Sequence, residues 1–153
     1  KLNFLVMKTN NTEIEKFMNL KSYAIVGVSA KKKKFGNTIF AQMKNRRFNI
    51  YPIHRTAASI DGEKCFPNIE SLPEKPEGVI LVVPPAETDK VIKDIARAGI
   101  TNVWMQLGAD SKNAIDFCTA SGISVIRNEC LLMFLQKPGF PHNVDKWIWN
   151  RMN

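Results

Sequence analysis

Six consecutive residues, GVILVV at 78–83, carry no polar side chain, and Pro84 and Pro85 close the run. A strand with one face in water alternates apolar and polar residues. A run without alternation has both faces covered, the condition of a strand inside a parallel sheet with helices on either side. The run is also far shorter than the roughly 20 residues a membrane-spanning helix needs. It commits the chain to a layered α/β domain.

YAIVGV at 23–28, FNIYPIH at 48–54, NVWMQL at 102–107 and SVIR at 124–127 read as further strands. Helical spacing fills the gaps between them. Residues 37–47 place Ile39, Phe40 and Met43 on one face, and residues 86–98 place Val91, Ile95 and Ala98 on another before Gly99 stops the helix. Residues 12–20 and 111–121 complete the helical set, and the stretch before GVILVV is a loop rich in turn residues with a short helical piece at 68–72. Strand and helix in alternation predict a Rossmann-like parallel sheet of about five strands with helices on both faces.

A length of 153 residues supplies one sizeable core, so a single domain is expected. Its bounds are set at 21–137, preceded by an N-terminal extension and helix (1–20) and followed by a tail (138–153) with a short helix docked through Trp147 or Trp149. Met7 is a candidate natural start, and the apolar patch at 4–7 lacks the cleavage site of a signal peptide. Three widely spaced cysteines, Cys65, Cys118 and Cys130, offer neither a disulfide framework nor a metal site, which fits a reducing cytoplasm. A formal charge of +8 suits nucleic acid, an acidic surface or a multiply phosphorylated small molecule. Composition does not choose among them, and no nucleic-acid motif accompanies the charge.

The segment AIVGVSAKKKKFGN at 24–37 begins like the strand and glycine turn of a nucleotide site, then puts Ser29 and Lys32 where a dinucleotide fingerprint has glycines. A helix starting near Gly36 and Asn37 directs its free N–H groups at this loop, which favours phosphate. Candidate contacts here are Gly27, Val28, Ser29, Lys31, Lys34, Phe35, Gly36 and Asn37. Gly27 is read as leaving room for ligand, so Gly27→Val is expected to abolish binding in a protein that still folds. The other strand ends contribute Pro52, His54 and Arg55, then Val83, Pro84 and Pro85, then Gln106 and Gly108. The basic pair His54 and Arg55 stands where an NAD site places an acid, which points to a phosphorylated ribose, as in NADP or coenzyme A.

The segments YAIVGVSAKKKKFGN, IYPIHR, GEKCFPNIESLPE, GVILVVPP, VWMQLGA and NEC occur in the order and spacing of the small bacterial and archaeal CoA-binding proteins. The chain resembles that family over roughly residues 20–130, and the domain is similar to the CoA-binding N-terminal region of the succinyl-CoA synthetase α subunit. The resemblance implies CoA or acyl-CoA as ligand, with its phosphates against the 27–29 loop and residues 83–85 lining a groove. His54 and Arg55 depart from the Asn-Pro common in the family, and Asn37 from a frequent Ser. Cys130 stands at a family-like position, which invites a disulfide with the CoA thiol, against the ordinary role of a free cysteine as a small buried hydrophobe.

No catalytic triad order, metal spacing or placed carboxylate pair is visible, so no catalytic or metal-binding residues are named. The expected function is CoA binding by a carrier, sensor or subunit in the cytoplasm, off the membrane, with a protein partner or homo-oligomer left open. An NADP-dependent oxidoreductase or NADP-binding regulator is the first alternative. A basic nucleic-acid-binding protein is the second.

Overall fold

The structure, a computed structural model, describes residues 11–135, so the tail helix and the start at Met7 lie outside the described residues. In chain order the elements are α1 (Asn11–Met18), β1 (Tyr23–Val26), α2 (Phe35–Asn45), β2 (Ile50–Ile53), β3 (Ser59–Ile60), β4 (Glu63–Lys64), β5 (Gly78–Leu81), α3 (Pro85–Arg97), β6 (Asn102–Met105), α4 (Lys112–Ser121) and β7 (Ser124–Ile126). Short 3-10 turns lie at Ile69–Ser71 and Leu131–Phe134. Five strands form one parallel sheet in the order β2-β1-β5-β6-β7, with Tyr23 opposite both Ile50 and Gly78.

The alternation of side chains along each strand divides the core into two layers. Tyr23, Ile25, Ile50, Ile80, Trp104 and Ile126 face α1, α2 and the turn at Leu131–Phe134, meeting Ile14, Phe17, Ile39, Phe40, Met43 and Leu131. Ala24, Val79, Leu81, Val103 and Met105 face α3 and α4, meeting Ile92, Ile95, Ala114 and Cys118. Every residue of β5 is buried, as its unbroken apolar sequence requires. Two aromatic residues add polar ties in the first layer: the Tyr23 hydroxyl donates to the Phe17 carbonyl at 2.6 Å, and Trp104 Nε1 donates to the Glu129 carbonyl at 3.3 Å. Burial raises the Tyr23 hydroxyl pKa well above the usual tyrosine value.

Two details differ from the sequence reading. The stretch read as an irregular loop contains the antiparallel pair β3 and β4, turned by Asp61 and Gly62 with φ of 50° and 78°. Two successive left-handed residues make a hairpin turn whose twist matches its strands, and Asp-Gly is a dipeptide that adopts it. Helix α2 starts at Phe35, two residues before the expected Asn37. Among the described residues no helix is long and apolar enough to cross a membrane.

Candidate functional site

The sheet reverses its winding between β1 and β5: the chain leaves β1 toward β2 on one side, then returns past β1 to build β5, β6 and β7 on the other. In open parallel sheets the crevice outside the carboxyl ends of the strands at this point receives the ligand. Gly27 sits there with φ of 120°, and a Cβ on it would lie 2.1 Å from the Val82 carbonyl oxygen. A Cβ on Gly36 would lie 2.3 Å from the Gly27 carbonyl oxygen. The two glycines therefore let β5 and the first turn of α2 close on the end of β1. The space denied to a side chain at Gly27 belongs to protein backbone, which corrects the expectation that Gly27→Val folds normally and merely blocks ligand.

Above this junction lies a cleft of about 430 Å³. It is lined by Gly27, Val28, Lys34, Phe35 and Gly36 from the β1–α2 junction and by Val82, Val83, Pro84, Leu107, Gly108 and Ala109 from beyond the ends of β5 and β6. Phe35 and Leu107, 40% and 53% exposed, are the exposed large apolar residues of the described chain, and both line this cleft. Lys34 is the titratable residue of the lining, and Lys31, Lys32 and Lys33 are exposed on the loop beside it. The amides of Phe35 and Gly36, in the first turn of α2, have no acceptor among the described residues and carry the positive end of the helix dipole. The cleft thus combines apolar walls with a cationic rim.

The loop 29–34 is held from within. Asn37, 4% exposed, accepts through Oδ1 from the backbone N–H of Ser29 at 2.9 Å and of Lys34 at 3.2 Å, and its Nδ2 donates to the Ser29 carbonyl at 2.9 Å. Ser29 Oγ accepts from the backbone N–H groups of Lys31 and Lys32 at 3.3 and 3.4 Å.

A smaller pocket of about 140 Å³ opens where β1 and β2 end, and its lining includes His54, Arg55, Asn68, Glu87 and Asp94. His54 Nδ1 accepts from the backbone N–H groups of Thr56 and Ala57 at 3.2 and 2.9 Å, so the ring carries its proton on Nε2 and braces the turn. Arg55 is exposed beside it.

Of the residues named from the sequence, Gly27, Val28, Lys34, Phe35, Gly36, Val83, Pro84 and Gly108 come together around the main cleft, and His54 and Arg55 around the smaller pocket. Ser29 and Lys31 belong to the loop, and Pro85 is the exposed first residue of α3. Three others lie under the surface. Asn37 braces the loop, Pro52 is buried in β2, and Gln106, 3% exposed, accepts the Leu131 N–H at 3.1 Å. Alternation foretells the last: Gln106 lies two residues beyond Trp104 and shares its inward face. Leu107 lies two residues past the end of β6, in the turn that follows, and is exposed there as a cleft residue absent from the candidates named above. Cys130 is buried in the first core layer, and burial raises the Cys65 thiol and pushes the Cys118 thiol up to about 11.

Fold and site together define a Rossmann-like α/β domain with an open cleft at its switch point. The chain belongs to the CoA-binding domain family, whose model matches residues 21–136. It is 23% identical over 130 residues to the ADP-forming acetate–CoA ligase I of Archaeoglobus fulgidus, a match covering 78% of this chain and 19% of the ligase. A second ligase of that organism, ADP-forming acetate–CoA ligase II, is 33% identical over 82 residues, covering 52% of this chain and 12% of the ligase. The chain therefore spans about a fifth or less of these curated relatives. Among solved structures, a conserved hypothetical protein from Pyrococcus furiosus superposes with a TM-score of 0.70 at 28% identity, covering 74% of this chain and 98% of that one. A hypothetical protein from Pyrococcus horikoshii gives a TM-score of 0.80 at 22% identity, covering 89% and 96%.

Proposed function

We propose that the chain binds coenzyme A or an acyl-CoA in the switch-point cleft and serves without catalysis of its own, as a carrier, sensor or subunit in the cytoplasm. One observation carries the reading: in a chain of the CoA-binding domain family, the exposed apolar residues Phe35 and Leu107 line one cleft with Lys34 at a helix N-terminus, beside the exposed Lys31, Lys32 and Lys33. CoA joins an apolar-walled pantetheine arm to a diphosphate and a phosphorylated adenosine, and each part finds matching chemistry. The amides of Phe35 and Gly36 with Lys34 suit the diphosphate. Phe35, Val82, Val83, Pro84 and Leu107 suit the pantetheine arm. Arg55, exposed in the smaller pocket it shares with Glu87 and Asp94, is the cation that would meet the phosphorylated ribose.

The lining supports a binding role: its titratable side chain is Lys34, and no carboxylate, imidazole or thiol joins it there. The ligase relatives carry most of their length outside the matched region, and activity of the acetate–CoA ligase kind would call for parts of that kind.

A thermal-shift panel with CoA, acetyl-CoA, NAD and NADP tests the reading, because a ligand bound to the folded state alone raises the midpoint by mass action. CoA and acetyl-CoA should raise it and be recovered chemically intact. A rise with NADP and none with CoA overturns the proposal in favour of a nicotinamide site.

A further inference from the structure

We propose that Asn37 is a positioning residue that keeps the loop 29–34 closed before ligand arrives, and that the loop consequently meets an anion with lysine side chains and not with a nest of its own amides. This deepens the CoA reading by stating how the same site recognises phosphate.

The hydrogen-bond inventory of the loop carries the inference. A glycine-rich phosphate loop works by leaving consecutive backbone N–H groups unpaired and convergent. Here the N–H groups of Ser29 and Lys34 are engaged by Asn37 Oδ1, and those of Lys31 and Lys32 by Ser29 Oγ. A buried side chain with one acceptor bonded to both ends of a loop and a donor returned to the Ser29 carbonyl works as a clasp. The clasp cannot drift, because Asn37 lies one residue beyond Gly36, whose close approach to the Gly27 carbonyl fixes the first turn of α2. Four of the six loop amides are engaged, and the other two, those of Ala30 and Lys33, are separated by engaged ones and form no consecutive run, so most of the positive charge for a diphosphate comes from the side chains of the lysine run and from the two amides at the helix start. Lysine suits that task because a point charge on a flexible stem needs no fixed backbone geometry.

The test uses Asn37→Ala and Asn37→Asp in the full chain, read by amide hydrogen exchange without ligand and by CoA titration. In the wild type, Ser29 and Lys34 amides should exchange slowly. In Asn37→Ala they should lose protection by roughly tenfold, the scale of one lost hydrogen bond, while amides of β1 and the middle of α2 stay as they were. Asn37→Asp keeps the acceptor for both N–H groups but sets an oxygen against the Ser29 carbonyl in place of the lost donor, so protection should return at both positions only in part. Where the wild type binds CoA, Asn37→Ala should bind it about tenfold more weakly, with the thermal midpoint lowered but the unfolding still cooperative. Unchanged exchange in Asn37→Ala, loss of protection spread through α2 and β1, or full CoA affinity in that variant overturns the clasp. If the wild type binds no CoA, the functional reading fails by itself and the exchange comparison still decides the role of Asn37.

Discussion

The missing side chain of Gly27 marks the place where the carbonyl of Val82 stands: a Cβ there would be 2.1 Å from that oxygen. Two adjacent strands of the sheet meet at this point, at the base of the cleft, and the glycine keeps them together. Gly27→Ala should therefore lower stability by about 3 kcal/mol or more, combining backbone overpacking with a φ that L residues rarely adopt. Urea unfolding measures it. A midpoint equal to the wild type would show that β1 and β5 can separate without loss.

The lysine run stands beside the cleft, exposed, and outside the core layers. Changing Lys31, Lys32, Lys33 and Lys34 together to Ser should leave stability nearly unchanged, since exposed side chains of this kind contribute little. CoA affinity should fall about tenfold at low salt, with a flatter salt dependence, as four partly screened charges are removed. Titrations at low and high ionic strength separate this from a run that is merely solvated, for which neither quantity changes.

Phe35 and Leu107 hold apolar surface in water for no benefit to the fold, so their removal should cost little stability. Phe35→Ala and Leu107→Ala should each weaken CoA roughly tenfold, the value of about 1–2 kcal/mol of apolar contact. Adenosine 3′,5′-bisphosphate, which lacks the pantetheine arm, should bind both variants as it binds the wild type. Equal losses for the two ligands would place the pantetheine elsewhere.

Stability should also report the buried acids. The Cys118 thiol is pushed up to about 11 and the Tyr23 hydroxyl is raised, both by burial, so the folded state holds protons that the unfolded chain releases earlier. Folding stability is then flat with respect to these groups below about pH 9 and falls as pH rises through the Cys118 value. Urea midpoints between pH 8 and 11 follow it. Cys118→Ala should be less stable overall, with a shallower fall, and a fall as steep as the wild type's would assign the effect to other groups.

Much of this was legible in the sequence because the constraints are local. The unbroken run at Gly78–Leu81 needed two covered faces, and the helices of Ile39, Phe40 and Met43 and of Ile95 covered them. Residues read as candidates at the ends of β1 and β5 meet at the cleft, since the fold fixes where strand ends go. What could not be read was the partner of individual side chains just beyond those ends. Gln106, inward by alternation, meets Leu131, 25 residues away, and His54 turned to its own backbone. The hairpin at Ser59–Ile60 and Glu63–Lys64 was hidden by strands of two residues each, too short to show alternation, although Asp61 and Gly62 carried its turn. The role of Gly27 was misplaced because sequence shows that a side chain is excluded and does not show by what.

The central claim is that CoA occupies the switch-point cleft, and amide chemical shifts recorded during a CoA titration of the isotopically labelled protein test it most directly. The account predicts saturable shifts concentrated at Gly27, Val28, Phe35, Gly36, Leu107 and Gly108, with a second group near Arg55, and little change at a separate groove between α3 and α4 that is lined by Ile92, Lys93, Ala114 and Phe117. Shifts centred on that groove, or none at ligand concentrations that saturate other CoA-binding proteins, would contradict it.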